Sequence, residues 1–272
     1  MIPKIIHYCW FGDNSISENQ KKYIEKWKQI MPDYELCCWN ESTIDINSSS
    51  FLKQAYEARQ WAFVADYTRV YALLTVGGVY MDTDVEVLES FNPYLKYSMF
   101  TSYEYHPGYK HMPIIHEMVD EKGYRKKGID LYKKIPGVGL MSAIIASEPN
   151  TMFMTELKQW YDSMSFAENR KCNYTIPTTL AIIAERYGFR YSNEFQLLNG
   201  NIAIFPSNVF ADYRTRDKKS IAVHQCAGSW GNKKGLKNRI HNFIYSIFYK
   251  TTWIRRIYLF IRNKFEKYPI YY

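Results

Sequence analysis

The run Gly77-Gly78-Val79-Tyr80-Met81-Asp82-Thr83-Asp84-Val85-Glu86-Val87 constrains this chain more than any other segment. Paired glycines interrupt an apolar stretch, three apolar residues follow, and two carboxylates emerge two positions apart. A strand that delivers Asp-x-Asp to its end makes a hard-oxygen site suited to Mg²⁺ or Mn²⁺, ions that in turn hold phosphate oxygens. Alone the pair is a weak signal, because two acids on a surface turn are common and usually solvated. Its neighbours decide how it is read.

Those neighbours alternate between strand and helix patterns. Ile5 to Trp10 reads as a strand, Ser17 to Met31 as a helix capped by Ser17 with Pro32 just past its end, and Tyr34 to Trp39 as a second strand. Ser50 caps a helix running to Arg59. Trp61 to Val76 forms another, stopped by Gly77-Gly78, and on it Asp66 and Arg69 lie three residues apart and share a face. Strands are expected at Val79 to Asp82 and Tyr97 to Tyr103, a loop over 104–111 and a mixed stretch over 112–127. Helices are expected at Gly139 to Ser147, Thr151 to Met164 and Pro177 to Tyr187. Short strands near Phe189 to Tyr191, Gln196 to Leu198, Ile202 to Phe205 and Ile221 to His224 complete the sheet. This order predicts an open α/β sheet with its binding crevice beyond the carboxyl ends of the strands.

Composition sets the limits. At 272 residues the chain can bury a substantial core in one domain, with no internal repeat or low-complexity linker. Five cysteines (Cys9, Cys37, Cys38, Cys172, Cys226) are odd in number and lack CxxC spacing, which indicates neither a disulfide framework nor a zinc site. Reduced thiols in a cytoplasmic compartment fit that pattern. The N-terminus lacks the apolar stretch of a secretory signal and reads as the first strand.

Charge is unevenly placed. Ten of the 35 Lys and Arg fall in residues 233–272 against one of the 27 acids, so the +8 formal charge sits in that tail and residues 1–232 are near neutral. Ile240, Phe243, Ile244, Ile247, Phe248, Ile254, Ile257, Ile261 and Phe265 recur at three- and four-residue steps with basic residues alongside. The apolar stretches are far short of the roughly 20 residues of a spanning helix. A basic, aromatic amphipathic tail of this kind suits an anionic membrane surface, each basic residue contributing about 1 kcal/mol. The plainer reading is a docked helical pair with a solvated basic rim. No nucleic-acid reading module is recognisable, so no nucleic-acid partner is expected.

Four segments together resemble a known family: Ile2-Pro3-Lys4-Ile5-Ile6-His7-Tyr8-Cys9-Trp10-Phe11-Gly12, Ala62-Phe63-Val64-Ala65-Asp66-Tyr67-Thr68-Arg69, Gly77 to Asp84, and His224 with Ser229-Trp230. In this order they resemble the Asp-x-Asp glycosyltransferases of family 32, which include bacterial capsular and lipooligosaccharide sugar transferases and are related to the glucosylating domains of clostridial toxins. The resemblance covers residues 1–232. It implies a GT-A type, Rossmann-like nucleotide-sugar-binding fold with a helical C-terminal extension over 233–272. It also implies a nucleotide-sugar donor, UDP-sugar favoured, a Mn²⁺ or Mg²⁺ ion, and transfer with retention of configuration.

By the same resemblance, Trp10 stacks on the donor base, Asp66 and Arg69 hold the donor sugar, and Tyr80 positions the donor. Asp84 ligates the metal, Asp82 touches metal, ribose or sugar, His224 completes the metal shell, and Ser229 and Trp230 close over the diphosphate. The chain departs from the family where an Asn-Gly pair often contacts the donor: it has Ile135 to Leu140 there, and Ala65 where Ser is frequent. The expected partner is a glycan acceptor, lipid-linked, met at the inner face of the cell membrane during surface-polysaccharide synthesis. Two rivals remain. A haloacid dehalogenase-type phosphohydrolase also uses Asp-x-Asp at a strand end, but in its first strand and with later Lys and paired-Asp elements. A non-catalytic membrane-associated sugar-binding module explains the tail but not the acidic pair.

Overall fold

The computed structural model describes residues 1–105 and 112–227. Ser229, Trp230 and the expected tail over 233–272 lie outside the described residues. In chain order the elements are β1 (Ile5–Cys9), α1 (Glu18–Ile30), β2 (Glu35–Trp39), α2 (Ser50–Glu57), α3 (Trp61–Thr75), β3 (Gly78–Met81), β4 (Val85–Val87) and β5 (Met99–Tyr105). There follow α4 (Met112–Met118), β6 (Val138–Leu140), β7 (Ile144–Ser147), α5 (Met152–Asp162), α6 (Phe166–Cys172) and α7 (Ile176–Glu185). The last four are β8 (Gln196–Leu198), β9 (Ile202–Phe205), β10 (Phe210–Asp212) and β11 (Ala222–His224).

The main sheet runs β2-β1-β3-β7-β5-β9-β8 with β6 added beside β5, and a smaller sheet runs β10-β11-β4. β1 is parallel to both β2 and β3, whereas β7 is antiparallel to β3 and β5. This is the α/β class expected from the sequence, with a mixed rather than purely parallel sheet. Apolar side chains leave both faces: Tyr80 and Ile145 join the core formed with α2, α3, α5 and α7, while Val79, Met81 and Ile144 join the core under α1 and the small sheet.

Local chemistry accounts for most of the helices. α1 starts at a reciprocal capping box between Ser17 and Gln20, and α5 at Thr151, whose hydroxyl accepts from the Met154 amide. α2 is capped by Ser49 and not by Ser50, because the Ser49 hydroxyl accepts from the Phe51 amide.

The largest correction concerns residues 139–147, read as a helix and folded as β6 and β7. All four residues of β7 are buried, since it lies between β3 and β5. A strand covered on both faces shows no period-two alternation, so its apolar run does not reveal its period. Phe189 to Tyr191 is also no strand: its amides donate to Ala184, to the Gln196 side chain and to Gly123, three different partners.

The entry to β3 depends on its two glycines. Gly77 and Gly78 have φ of +71° and +109°, and a Cβ on Gly78 would stand 2.6 Å from the Ile5 carbonyl oxygen. Beside this turn the fully buried His7 joins three strands. Its Nδ1 accepts from the Trp39 indole at 3.0 Å, so its Nε2 carries the proton and donates to the Gly77 carbonyl at 2.7 Å. Burial lowers the His7 pKa, which keeps the ring neutral in this arrangement.

Gly78→Ala is expected to cost about 3 kcal/mol, the sum of left-handed strain and overpacking. Urea denaturation measures it, and an unchanged midpoint would contradict the close approach.

Candidate active site

β3 ends at Met81, and the chain turns at once. The Asp82 amide still donates to Ala143 beside β7, while the Asp82 carbonyl accepts from Val85 at 3.0 Å to close a four-residue turn. That turn carries Asp82 and Asp84 beyond the carboxyl end of the sheet, where crevices of open α/β sheets lie. β4 then leaves the main sheet and pairs antiparallel with β11, placing His224 opposite Val85. The pairing continues as the Gln225 amide donates to the Asp84 carbonyl, and the Ala227 amide donates to Asp84 Oδ2 at 2.6 Å.

His224 Nε2 thereby lies 3.3 Å from Asp84 Oδ1 and 3.8 Å from Asp82 Oδ2. One ligand atom from each of the three falls within 4.8 Å of the others. Two carboxylates and an imidazole form a donor set that fits Mn²⁺ or Mg²⁺ with coordination positions left for phosphate oxygens and water. Burial works against the Asp84 charge, but His224 and the Ala227 amide hold its carboxyl below the usual range. Burial likewise opposes charge on His224, and Asp84 with Cys226 outweighs it, raising the imidazole well above its ordinary value. The imidazolium therefore stands opposite the carboxylates where a metal would otherwise supply positive charge.

On the inner side of the turn, α3 contributes Asp66 and Arg69. Arg69 is 5% exposed, and all its donor groups are engaged: Nη2 lies 2.9 Å from Asp66 and 3.4 Å from Asp82, Nη1 donates to the Ser142 carbonyl, and Nε to Ala65. The guanidinium also lies 4.3 Å from the Tyr80 ring centroid, and the Tyr80 hydroxyl donates to Asp82 Oδ1 at 2.9 Å. Tyr80 is 1% exposed. Arg69 and Tyr80 thus both meet the Asp82 carboxylate and fix its direction. Burial pushes the Asp66 carboxyl up to about 6 against the opposing pull of Arg69, and the nearby Asp82 charge adds to the rise.

Trp10 follows β1. The parallel register sets His7 beside Tyr80, so Trp10 follows β1 at the same end of the sheet where the Asp82–Val85 turn follows β3. The Trp10 indole donates to the Asn14 carbonyl at 2.5 Å and the side chain is half-buried.

Two further contacts were not read from the sequence. From α1, Gln20 donates to the Thr83 hydroxyl at 3.0 Å and the Trp27 indole donates to the Val85 carbonyl at 2.8 Å. Both hold the Asp-x-Asp turn from outside. Their spacing of seven on one helix face was visible, but only as an ordinary core stripe.

With this geometry in hand, comparison with known proteins shows what the chain is similar to. Residues 17–101 match the family described as "Glycosyltransferase sugar-binding region containing DXD motif". That segment contains Asp66, Arg69, Tyr80, Asp82 and Asp84. Over 101 residues the chain is 33% identical to inositol phosphoceramide mannosyltransferase 3 of Schizosaccharomyces pombe, a match covering 35% of this chain and 28% of that protein. Among solved structures, the PaToxG glycosyltransferase aligns with a TM-score of 0.44 and 16% identity over 68% of this chain and 69% of the other. The galactosyltransferase LgtC, in complex with donor and acceptor sugar analogs, aligns at 0.38 and 10% identity, covering 88% and 94%. The glycosyltransferase GlyE of Streptococcus pneumoniae aligns at 0.39 and 10%, covering 98% and 66%.

Calorimetric titration with MnCl₂ should show a single site lost in Asp84→Ala while the melting temperature is kept. Because His224 must release its Nε2 proton to ligate, affinity is expected to rise from pH 6 to 8 with proton release. Equal binding heats in wild type and Asp84→Ala would remove the metal assignment.

Proposed function

We propose that this chain is a metal-dependent, retaining glycosyltransferase of GT-A type, resembling family 32, that moves a sugar from a nucleotide-sugar donor, UDP-sugar favoured, to a glycan acceptor. The observation that carries this reading is the convergence of Asp66, Asp82, Asp84 and His224 at the carboxyl end of β3, one strand from Trp10. A resident Mn²⁺ or Mg²⁺ would supply positive charge to diphosphate oxygens as the bond to the anomeric carbon breaks.

The chain's own residues divide the remaining work. Asp84, Asp82 and His224 hold the ion. Trp10 offers its ring to the donor base, a stacking contact of about 1 to 3 kcal/mol. Asp66, ionised above about pH 6, accepts hydrogen bonds from sugar hydroxyls at the floor of the crevice. Arg69 and Tyr80 keep Asp82 in the conformer that faces the ion. The acceptor hydroxyl enters on the face the diphosphate leaves, and the departing diphosphate takes its proton. The haloacid dehalogenase rival fits less well, because its nucleophile belongs on a first strand, whereas Asp82 follows β3 and is paired with Arg69.

The biological setting extends the same reading. A role in surface-polysaccharide synthesis, a lipid-linked acceptor, and a cytoplasmic enzyme held at the inner membrane face by residues 233–272 rest on the charge and pattern of that tail. Among the described residues no helix is long and apolar enough to cross a membrane.

Incubation with a panel of nucleotide sugars and Mn²⁺ should reveal slow donor hydrolysis that Asp84→Ala abolishes. Phosphate release from simple monoesters would instead point to the phosphohydrolase, and no turnover of any donor to a binding module. Trp10→Ala should weaken UDP binding at least tenfold without lowering the melting temperature; equal affinity would make Trp10 a packing residue.

Protonation of Asp66 removes its charge, so kcat/KM for donor hydrolysis is expected to fall between pH 7 and pH 5. A flat profile over that interval would dissociate Asp66 from the sugar.

A further inference from the structure

A second cavity, of about 400 Å³, opens between α5 and α7. α5 contributes one face to it, with Glu156, Gln159 and Trp160 at i, i+3 and i+4, followed by Ser163 at its C-cap. Phe153, Leu157 and Tyr161 form the adjoining buried face of the same helix, where Tyr161 meets Phe51 and Tyr67, the latter next to Asp66 on α3. None of the residues lining the cavity is one of those gathered at the carboxyl end of β3.

Three aromatic rings define its walls. Trp160 and Tyr174 meet nearly at right angles, 83° at 5.1 Å, and Tyr132 is tilted 40° from Trp160 at 5.6 Å. Tyr132 is 49% exposed and Trp160 9%. The indole nitrogen of Trp160 is buried and has no hydrogen-bond partner among the described residues. Buried indole N–H groups usually find an acceptor, so this one calls for an explanation.

The charges in the cavity cancel. Arg186 pairs with Glu156 at 2.8 Å, and Tyr187 donates to the other Glu156 oxygen at 2.9 Å. An anion would meet a neutralised guanidinium, and a cation a neutralised carboxylate. What remains is ring surface and an exposed Gln159 amide that both donates and accepts. A pyranose ring matches that set, because its C–H face lies on aromatic carbon while its equatorial hydroxyls give and take hydrogen bonds at the edge. The volume falls within the roughly 300 to 1,000 Å³ of small-ligand sites.

We propose that the α5–α7 cavity is a carbohydrate site separate from the transfer centre, seating one neutral pyranose of the acceptor glycan. That the bound glycan is the acceptor rests on the proposed function; that the cavity takes a pyranose does not. A site between α5 and α7 anchors the acceptor chain at a distance from its reacting end, so chain length affects acceptor affinity without changing donor chemistry.

Saturation-transfer NMR with the methyl glycosides of glucose, galactose, mannose and N-acetylglucosamine tests this on the full chain. At least one should receive saturation from wild type, and its affinity should fall about tenfold in both Tyr132→Ala and Gln159→Ala, whose side chains are exposed and not needed for folding. Asp84→Ala should bind the glycoside as wild type does, even with donor hydrolysis lost. No saturation transfer to any glycoside, or transfer undiminished in Tyr132→Ala and Gln159→Ala, overturns the site. Persistence of donor hydrolysis in that case would leave the proposed activity standing.

Discussion

Three carboxylates share one corner of this fold, and a protein interior does not hold such a group without cations among them. Asp66 and Asp84 are buried beside Asp82 there, and Arg69 on one side and His224 on the other supply the opposing charge. Arg69 is the more deeply committed of the two, since its guanidinium is nearly inaccessible and bridges α3, β3 and the segment before β7. Removing one partner of a buried pair typically costs about 3 to 5 kcal/mol, because the remaining charge is left unmatched. Shape and charge at this corner are thus one constraint: the same contacts that set positive charge beside the carboxylates also fix their directions.

The rest of the scaffold serves that corner. The glycine pair admits β3 between β1 and β7 at a backbone distance no Cβ would allow, and the neutral His7 ties the turn to β2 through Trp39. On the outer side, α1 reaches over with Gln20 and Trp27 to hold the turn after Met81. A rigid frame of this kind matters because a ligand set displaced by a fraction of an ångström loses much of its value.

How much of this was legible in the sequence depends on where the signal is local. The Ser17 cap, the Gly77-Gly78 break and the three-residue spacing of Asp66 and Arg69 announce themselves within a few positions, and the structure places them as read. β7 did not, since a strand buried on both faces carries no alternation, and its assignment is settled only by neighbours far away in sequence, as in the Met99–Ser147 and Met81–Ile144 pairs. The Tyr80–Asp82 hydrogen bond was likewise invisible, because residue type states what a side chain can donate and not which partner reaches it first. The α5–α7 cavity was hidden for the same reason: Tyr132, Trp160 and Tyr174 are scattered among many aromatics.

The pairing of β4 with β11 has a consequence for biogenesis. The Ala227 amide and Asp84 are 143 residues apart in sequence, and His224 travels with the same strand. During synthesis the early sheet, the glycine turn and the buried arginine are all present long before the imidazole leaves the ribosome. A nascent chain at that stage owns the acidic pair but not the ligand that completes it. The cluster of Asp82, Asp84 and His224 is therefore assembled only after β11, the last strand among the described residues, has emerged.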